Sequence, residues 1–269
     1  MSNVTLPLSE SELMALSQKV ETIIRDTGKY LANTSVSEVT CKGGNVNFVT
    51  DLDLTIQNML VDKLVSLIPE AVFLLEESDE VPEDADFTWI IDPIDGTKNL
   101  INHYKESAIS VGLVYRNTGI IGMVYNPFRE EFFSAVIGHG AFLNNEPIHV
   151  SDTPLKTAIV CLGTSGYHPQ FHQRTARCMG ELYRTCGDFR RAGSAALELC
   201  YLACGRVDAF IEYKLYAWDF AAAATIIREA GGIIESVELP EWDFRKASGI
   251  VAAAPTLFDG FQQVVRNVQ

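Results

Sequence analysis

The chain has no lysine- or arginine-rich run, and its 21 basic residues face 35 acidic ones, for a formal charge of −14. That excludes a surface built to follow a nucleic-acid polymer or an anionic membrane. No apolar stretch approaches the roughly 18–20 residues that span a bilayer. Residues 1–13 have neither a basic segment nor an apolar core, so the expected location is cytoplasmic. Six cysteines (Cys41, Cys161, Cys178, Cys186, Cys200, Cys204) contain no CxxC pair, and reduced thiols are expected rather than disulfides or zinc. The five histidines (His103, His139, His149, His168, His172) lack ligand spacing and read as surface or packing residues. Internal repeats and low-complexity tracts are absent too. What remains is an ordinary globular composition, 47% hydrophobic and 21% charged, with ample core for one large domain or two closely joined ones.

Periodicity gives the order of elements. Ser9 and Glu12 precede a helix with Leu13, Leu16, Val20, Ile23 and Ile24 on its apolar face, ending near Gly28 or shortly beyond. Residues 34–47 are polar and carry Gly43-Gly44, which predicts a loop or loose hairpin centred on Cys41 and Lys42. A second helix opens at Val49-Thr50-Asp51, presents Leu54, Met59, Leu60, Leu64 and Ile68, and stops at Pro69. Residues 72–75 form a short strand, followed by Glu76-Glu77-Ser78 and an acidic loop over 79–86. Strands over 108–115, 120–125 and 131–135 make an antiparallel meander. A composition shift at 151–154 separates an N-terminal α+β part, residues 1–150, from a C-terminal α/β part, residues 151–269. Together they are expected to form one compact catalytic unit. In the second part, strands over 157–162, 182–186, 207–213 and 250–253 alternate with helices over 169–179, 194–203, 218–230 and 256–265.

The chemistry concentrates in Trp89-Ile90-Ile91-Asp92-Pro93-Ile94-Asp95-Gly96-Thr97. An apolar strand ends in two carboxylates three residues apart. Pro93 has no N–H for further pairing, so the chain should turn at Asp92, and Asp95-Gly96-Thr97 can open a helix whose free N–H groups collect an anion. Glu76, Glu77 and Asp219 are also acids at strand ends or helix mouths. Gathered together without cations they would repel by roughly 4 kcal/mol per pair at about 4 Å. Divalent cations remove that repulsion, and an all-oxygen set without His or Cys fits magnesium rather than zinc. Two such ions would bind phosphate oxygens, activate a water and stabilise a leaving alkoxide, with the Thr97 hydroxyl placed to orient that water. Taken alone, Asp51 and Asp53 read equally as helix caps.

These segments resemble the inositol monophosphatase family in order along nearly the whole chain. Asp92-Pro93-Ile94-Asp95-Gly96-Thr97 is similar to its first signature, and residues 218–232, from Trp218-Asp219-Phe220-Ala221 to Gly231-Gly232, to its second. Glu76-Glu77-Ser78, Lys42 with Val49-Thr50-Asp51-Leu52-Asp53, and Gly193-Ser194-Ala195-Ala196 resemble three further elements. The resemblance implies a layered αβαβα sandwich of the inositol monophosphatase and fructose-1,6-bisphosphatase type, an α+β fold, usually homodimeric and lithium-sensitive. It implies magnesium-dependent hydrolysis of inositol monophosphate or a similar small polyol or sugar phosphate, using two or three Mg2+ ions. The alternative is 3′-phosphoadenosine 5′-phosphate or fructose 1,6-bisphosphate on the same metal site; a non-enzymatic metal-binding scaffold is the rival of another class.

By the same resemblance, Glu76, Asp92 and the Ile94 carbonyl would hold one metal, and Asp92, Asp95 and Asp219 a second. Thr97 with Asp53 would activate the water, Glu76 serving catalysis through its ion. Gly96 and Thr97 would contact phosphate, while Gly193, Ser194, Ala195 and Glu212, with Asp95 and Asp219, line the substrate and Arg190 or Arg191 stands nearby. Glu77 and Lys42 would act behind the ligands or help a third ion. Lys98 departs from the family pattern after Thr97, and either places a charge near a second phosphate or lies in solvent. Tyr213-Lys214-Leu215-Tyr216 beside Glu212 either shapes the polyol pocket or serves a dimer contact.

Overall fold

The computed structural model describes residues 6–41, 48–80, 82–238 and 243–268. Helix α1 (Glu10–Asn33) starts where Ser9 and Glu12 close a capping box, the Ser9 N–H donating to Glu12 Oε2 at 2.8 Å. It runs past Gly28, which makes room for the Tyr125 ring: a Cβ there would lie 2.4 Å from Tyr125 Cε1. Strands β1 (Val39–Cys41) and β2 (Phe48–Thr50) pair antiparallel as a small ribbon, and Lys42, Gly43 and Gly44 lie outside the described residues. Helix α2 (Asp51–Leu64) buries Leu52, Ile56, Leu60 and Leu64, whereas Leu54, expected on that face, is 49% exposed. The helix is rotated because polar Asp53 and Gln57 share its buried side, which an apolar-only count misses.

Next come β3 (Val72–Leu75), β4 (Phe87–Asp95), the short α3 (Thr97–Ile101), β5 (Ala108–Tyr115), β6 (Thr118–Asn126), β7 (Glu131–Val136), β8 (Ala141–Leu143) and β9 (Glu146–Ile148). These strands form one seven-stranded sheet in chain order, antiparallel except for β3 with β4. The expected turn at Asp92 does not occur. β4 continues through Pro93, and the register moves from Asp92 opposite Ser110 to Asp95 opposite Ala108. Three steps on β4 therefore face two on β5, a bulge that absorbs the proline's missing donor.

The second sheet is mixed, in the order β11-β10-β12-β14-β13. Its chain order is β10 (Ile159–Leu162), α4 (His172–Thr185), β11 (Asp188–Arg190), α5 (Ala195–Ala203), β12 (Ala209–Leu215), α6 (Ala217–Glu229), β13 (Ile233–Ser236), β14 (Ser248–Ala253) and α7 (Pro255–Asn267). Residues 182–186, expected as a strand, are the last turn and C-cap of α4. Thr175, Cys178 and Leu182 carry its sparse buried face, which is why a short apolar motif at its end imitated a strand. Strand β13 was not foreseen.

Three apolar layers hold the stack. α1 and α2 cover one face of the seven-stranded sheet through Val20, Ile24, Ile56, Trp89 and Val111. α5 and α6 fill the space between the sheets, where Leu197, Leu199, Phe220 and Ala222 meet Ile90, Val124 and Phe210. α4 and α7 close the far face through Cys178, Leu182, Ile211, Val251 and Phe261. The layering is αβαβα, an α+β sandwich. Strand β4 serves two layers at once, Ile90 facing one and Trp89 and Ile91 the other, which explains its uninterrupted apolar run. All six cysteines are free, and no helix among the described residues is long and apolar enough to cross a membrane.

Candidate active site

Three aspartates from distant parts of the chain converge at one end of these layers. Asp92 sits in the β4 bulge and is 1% exposed; its Oδ1 accepts the Ile94 N–H at 2.9 Å, which locks the bulge. Asp95 ends the strand, and its Oδ2 accepts Ser194 Oγ at 2.6 Å and the Ala196 N–H at 2.7 Å. Asp219 occupies the third position of α6, where its Oδ2 accepts the Tyr216 N–H at 2.7 Å. Thus an oxygen of each side chain is fixed by a backbone donor. The three residues can offer one oxygen apiece, all within 4.8 Å of one another.

Glu76 follows β3, and its N–H donates to Ile91 O at 3.2 Å, so parallel pairing sets it beside the bulge and against Asp92. Burial pushes Asp92 well above the usual carboxylate range, and Glu76, Asp95 and Asp219 push it further. Burial does the same to Asp219, aided by Asp95 and Glu76. Asp95 is raised by burial against the opposing pull of Ser194 and the α5 N–H groups. A group so strained by its own charges fits a hard divalent cation: all donors are oxygen, and neither His nor Cys belongs to the cluster.

Thr97 opens α3 behind Gly96, whose φ of +90° and tight approach to Glu106 O exclude a side chain. The Thr97 Oγ1 lies 3.1 Å from Asp53 Oδ1 and 3.1 Å from Ile94 O. Asp53 is fully buried on α2, its Oδ2 accepting the Thr50 N–H at 2.7 Å and Thr50 Oγ1 at 2.5 Å. It is therefore both a cap for its own helix and a partner of Thr97. Burial raises its carboxyl above the usual range.

The remaining anticipated residues divide. Gly193 and Ala195 line the same 690 Å³ cavity as Glu76, Glu77, Asp92, Ile94, Asp95, Thr97, Glu212 and Asp219. Ser194 does not face it as a substrate contact: its hydroxyl is buried on Asp95 and caps α5 through the Leu197 N–H at 3.3 Å. Arg191 lines the cavity, while Arg190 turns outward to Asp188 at 2.7 Å. Glu212 is held by the Ser165 N–H at 2.6 Å, and burial pushes it up to about 7 against the pull of Arg191. Of the Tyr213–Tyr216 segment, Lys214 and Tyr216 line the cavity, but Tyr213 packs inward with its hydroxyl on Val265 O.

Several neighbours were not anticipated. Gln57 clamps the Glu77 backbone with both ends of its amide, at 3.0 and 3.1 Å. Buried Glu198 accepts the N–H groups of Ala192 and of Gly193 from beneath, while Asn99 Nδ2 donates to Ala192 O at 2.8 Å from the side. Residues 164–168 form one wall, which brings His168, expected to be a bland packing residue, into the cavity lining. The available signal was Gly163: a Cβ there would lie 2.1 Å from Glu212 Oε2, so the strand can pass the buried acid only without a side chain.

The model of the inositol monophosphatase family matches residues 10–269. The chain belongs to that family. Among relatives of the inositol monophosphatase family, the Escherichia coli (strain K12) protein called Nus factor SuhB is 39% identical over 199 residues, which cover 73% of this chain and 74% of that one. The structure of the extragenic suppressor protein suhB from Bartonella henselae is similar at 30% identity and TM-score 0.87, covering 94% of this chain and 99% of that one. A structure described as an IMPase/NADP phosphatase complexed with Mg2+ and phosphate shares the fold at 19% identity, with TM-score 0.85 and coverage of 94% and 95%. The protein is accordingly a phosphatase of the inositol monophosphatase family.

Charge crowding at the site makes a stability prediction. Glu212, Asp92 and Asp219 have folded values raised above their unfolded ones, so between about pH 4 and Glu212's value of about 7 the folded state binds more protons. Stability must then fall as pH rises through that window, with Glu212 alone contributing about 2–4 kcal/mol. In EDTA the melting temperature is expected to decline from pH 5 to pH 8. Magnesium, added as a divalent probe that would compete with those protons, is expected to raise it most at pH 8. A magnesium response equal at both pH values would contradict this account.

Proposed function

We propose that this phosphatase hydrolyses inositol monophosphate or a similar small polyol or sugar phosphate in the presence of magnesium. The observation that carries the reading is the set of three converging aspartates, each with an oxygen anchored by a backbone donor and one to offer to a shared point. Glu76, Asp92 and the Ile94 carbonyl would hold one ion, and Asp92, Asp95 and Asp219 another. Bound there, magnesium would neutralise the acids, bind phosphate oxygens and acidify a water.

The chain's own groups account for the remainder. Thr97, polarised by Asp53, orients the attacking water toward phosphorus, and the Gly96 and Thr97 N–H groups at the start of α3 receive a phosphate oxygen. Glu212 accepts from polyol hydroxyls beside the Gly193–Ala195 turn. Buried Gln57 keeps Glu77 in place behind the ligands. A cytoplasmic homodimer is part of this reading. The related choice, 3′-phosphoadenosine 5′-phosphate or fructose 1,6-bisphosphate, uses the same acids and differs only at the cavity mouth.

Phosphate release from a panel of these esters, with and without magnesium and lithium, tests the proposal. Magnesium-dependent turnover of inositol 1-phosphate, suppressed by lithium, is the expected result. Absence of turnover on every ester would overturn it. Thr97→Ala and Asp53→Asn are each expected to lower kcat by about 10²–10⁴ with little change in KM, whereas Thr97→Ser stays near wild type. Equal losses in Thr97→Ser and Thr97→Ala would assign Thr97 a packing role instead.

A further inference from the structure

Helix α2 carries two polar residues on an otherwise apolar buried face: Asp53 and Gln57, one turn apart, lie among Leu52, Ile56, Leu60 and Leu64. Asp53 reaches Thr97. Gln57 is 5% exposed and uses both ends of its amide on the backbone of one residue, Nε2 donating to Glu77 O at 3.1 Å and Oε1 accepting the Glu77 N–H at 3.0 Å. The ladder between β3 and β4 ends at Leu75 opposite Ile91, and the Glu76 N–H adds one more bond, at 3.2 Å to Ile91 O. β3 is the edge of its sheet, so among the described residues no strand stands on its other side. The Gln57 amide takes the place of that neighbour, presenting a donor and an acceptor side by side as a peptide would. Glu76 is thus pinned by β4 and Glu77 by α2, and both acids line the cavity.

Packing alone does not explain an amide here. The four core neighbours on α2 are aliphatic, and a fifth aliphatic side chain would fill the face without taking a polar group out of water. What the amide adds is a fixed backbone next to Glu76. Magnesium requires a near-ideal octahedron of oxygens at about 2.0–2.1 Å, whereas calcium accepts looser sets at about 2.3–2.6 Å. A carboxylate on a pinned backbone favours the smaller ion, and one free to drift outward loses that preference. We propose that Gln57 is a positioning residue that holds the Glu76-Glu77 pair from the α2 side and so sets both the affinity for the ion at Glu76 and its selectivity for magnesium over calcium. The inference rests on the magnesium reading above and deepens it. α2 then serves the site twice, through Asp53 on the water-orienting threonine and through Gln57 on the acid pair.

Calorimetric titration of the full chain with Mg2+ and with Ca2+, without substrate, tests this. Gln57→Met matches the side chain in shape and removes both bonds; it is expected to weaken magnesium binding by about 10- to 100-fold and calcium binding by less than about threefold. Gln57→Glu keeps the acceptor, loses the donor to Glu77 O and should shift the ratio in the same direction. Ile56→Val, beside Gln57 on the buried face, loosens the helix without touching Glu77: its melting temperature in EDTA should fall by about 2–4 °C with the magnesium-to-calcium ratio kept. In phosphate release, Gln57→Met should need more magnesium for half-maximal rate, with kcat at saturating magnesium within about threefold of wild type, whereas Asp53→Asn loses kcat. Unchanged magnesium affinity in Gln57→Met, or equal losses for the two ions, overturns the proposal, as does an equal loss of selectivity in Ile56→Val. Wild-type protein that takes up no magnesium overturns the metal reading itself, a result distinct from wild-type binding to which Gln57 makes no difference.

Discussion

Asp92→Asn is expected to abolish magnesium-dependent phosphate release, by about 10³-fold or more, while raising the melting temperature of the metal-free protein. The two effects have one cause. Asparagine can still accept the Ile94 N–H through its amide oxygen, so the bulge survives, but the charge that burial, Glu76, Asp95 and Asp219 all oppose is gone. Removing one carboxylate from such a cluster relieves roughly 3–4 kcal/mol per close pair at an effective dielectric near 20, less whatever protonation already relieves. The same removal takes away the residue proposed to bridge both ions, and at about 1.4 kcal/mol per tenfold in rate the loss of several kcal/mol of transition-state stabilisation exceeds 10³. Phosphate release and thermal unfolding at pH 8, each with EDTA and with magnesium, check both halves. Retained turnover would sink the mechanism, and a lower melting temperature in EDTA would make Asp92 a structural residue.

The placement of Asp92, Asp95 and Asp219 was legible because each acid interrupts a strongly apolar or small-residue run, where a charge needs a reason. The order of most helices and strands followed from periodicity, because most buried faces are apolar throughout, whereas the αβαβα layering was legible only through the family resemblance. Reading failed where buried polar groups hid in that pattern. Asp53 and Gln57 on α2 displaced Leu54 to the surface, and the polar surface of α4 left only Thr175, Cys178 and Leu182 to mark its inner face. Pro93 argued for a turn, but a bulge satisfied it within the strand. Ser194 was read as lining the substrate from the family resemblance; only three-dimensional proximity shows its hydroxyl on Asp95. Glu198, beneath the same turn, has no sequence signature separating it from an ordinary helix acid.

Gly122→Val is expected to cause the largest loss of stability. A Cβ on Gly122 would lie 2.2 Å from Ala222 O and 2.9 Å from Thr225 Cβ, and one on Gly112 would lie 3.2 Å from the Ala222 nitrogen. α6 therefore rests directly on β5 and β6, its Ala221-Ala222-Ala223-Ala224 run against strand glycines. Valine cannot be accommodated by a rotamer change, because the first obstacle is backbone. Overpacking of this kind costs about 3 kcal/mol or more, which in a chain of this size lowers the melting temperature by roughly 10 °C. Because α6 carries Asp219 at its start, the folded fraction should also bind magnesium more weakly. Thermal unfolding and magnesium titration of Gly122→Val, with Gly122→Ala as a milder case, measure both. An unchanged melting temperature in the valine variant would mean that helix and sheet can separate freely.

Asp95 has a consequence beyond ligation. Its Oδ2 receives Ser194 Oγ and the Ala196 N–H, so this side chain fastens the end of a strand in one sheet to the first turn of a helix lying between both sheets. Whatever draws on its other oxygen, proton or cation, pulls on that fastening. Amide hydrogen exchange at Ala196 and Leu197 should thus report the loading of the acid pocket from inside the molecule, as a built-in gauge that needs neither substrate nor chromophore.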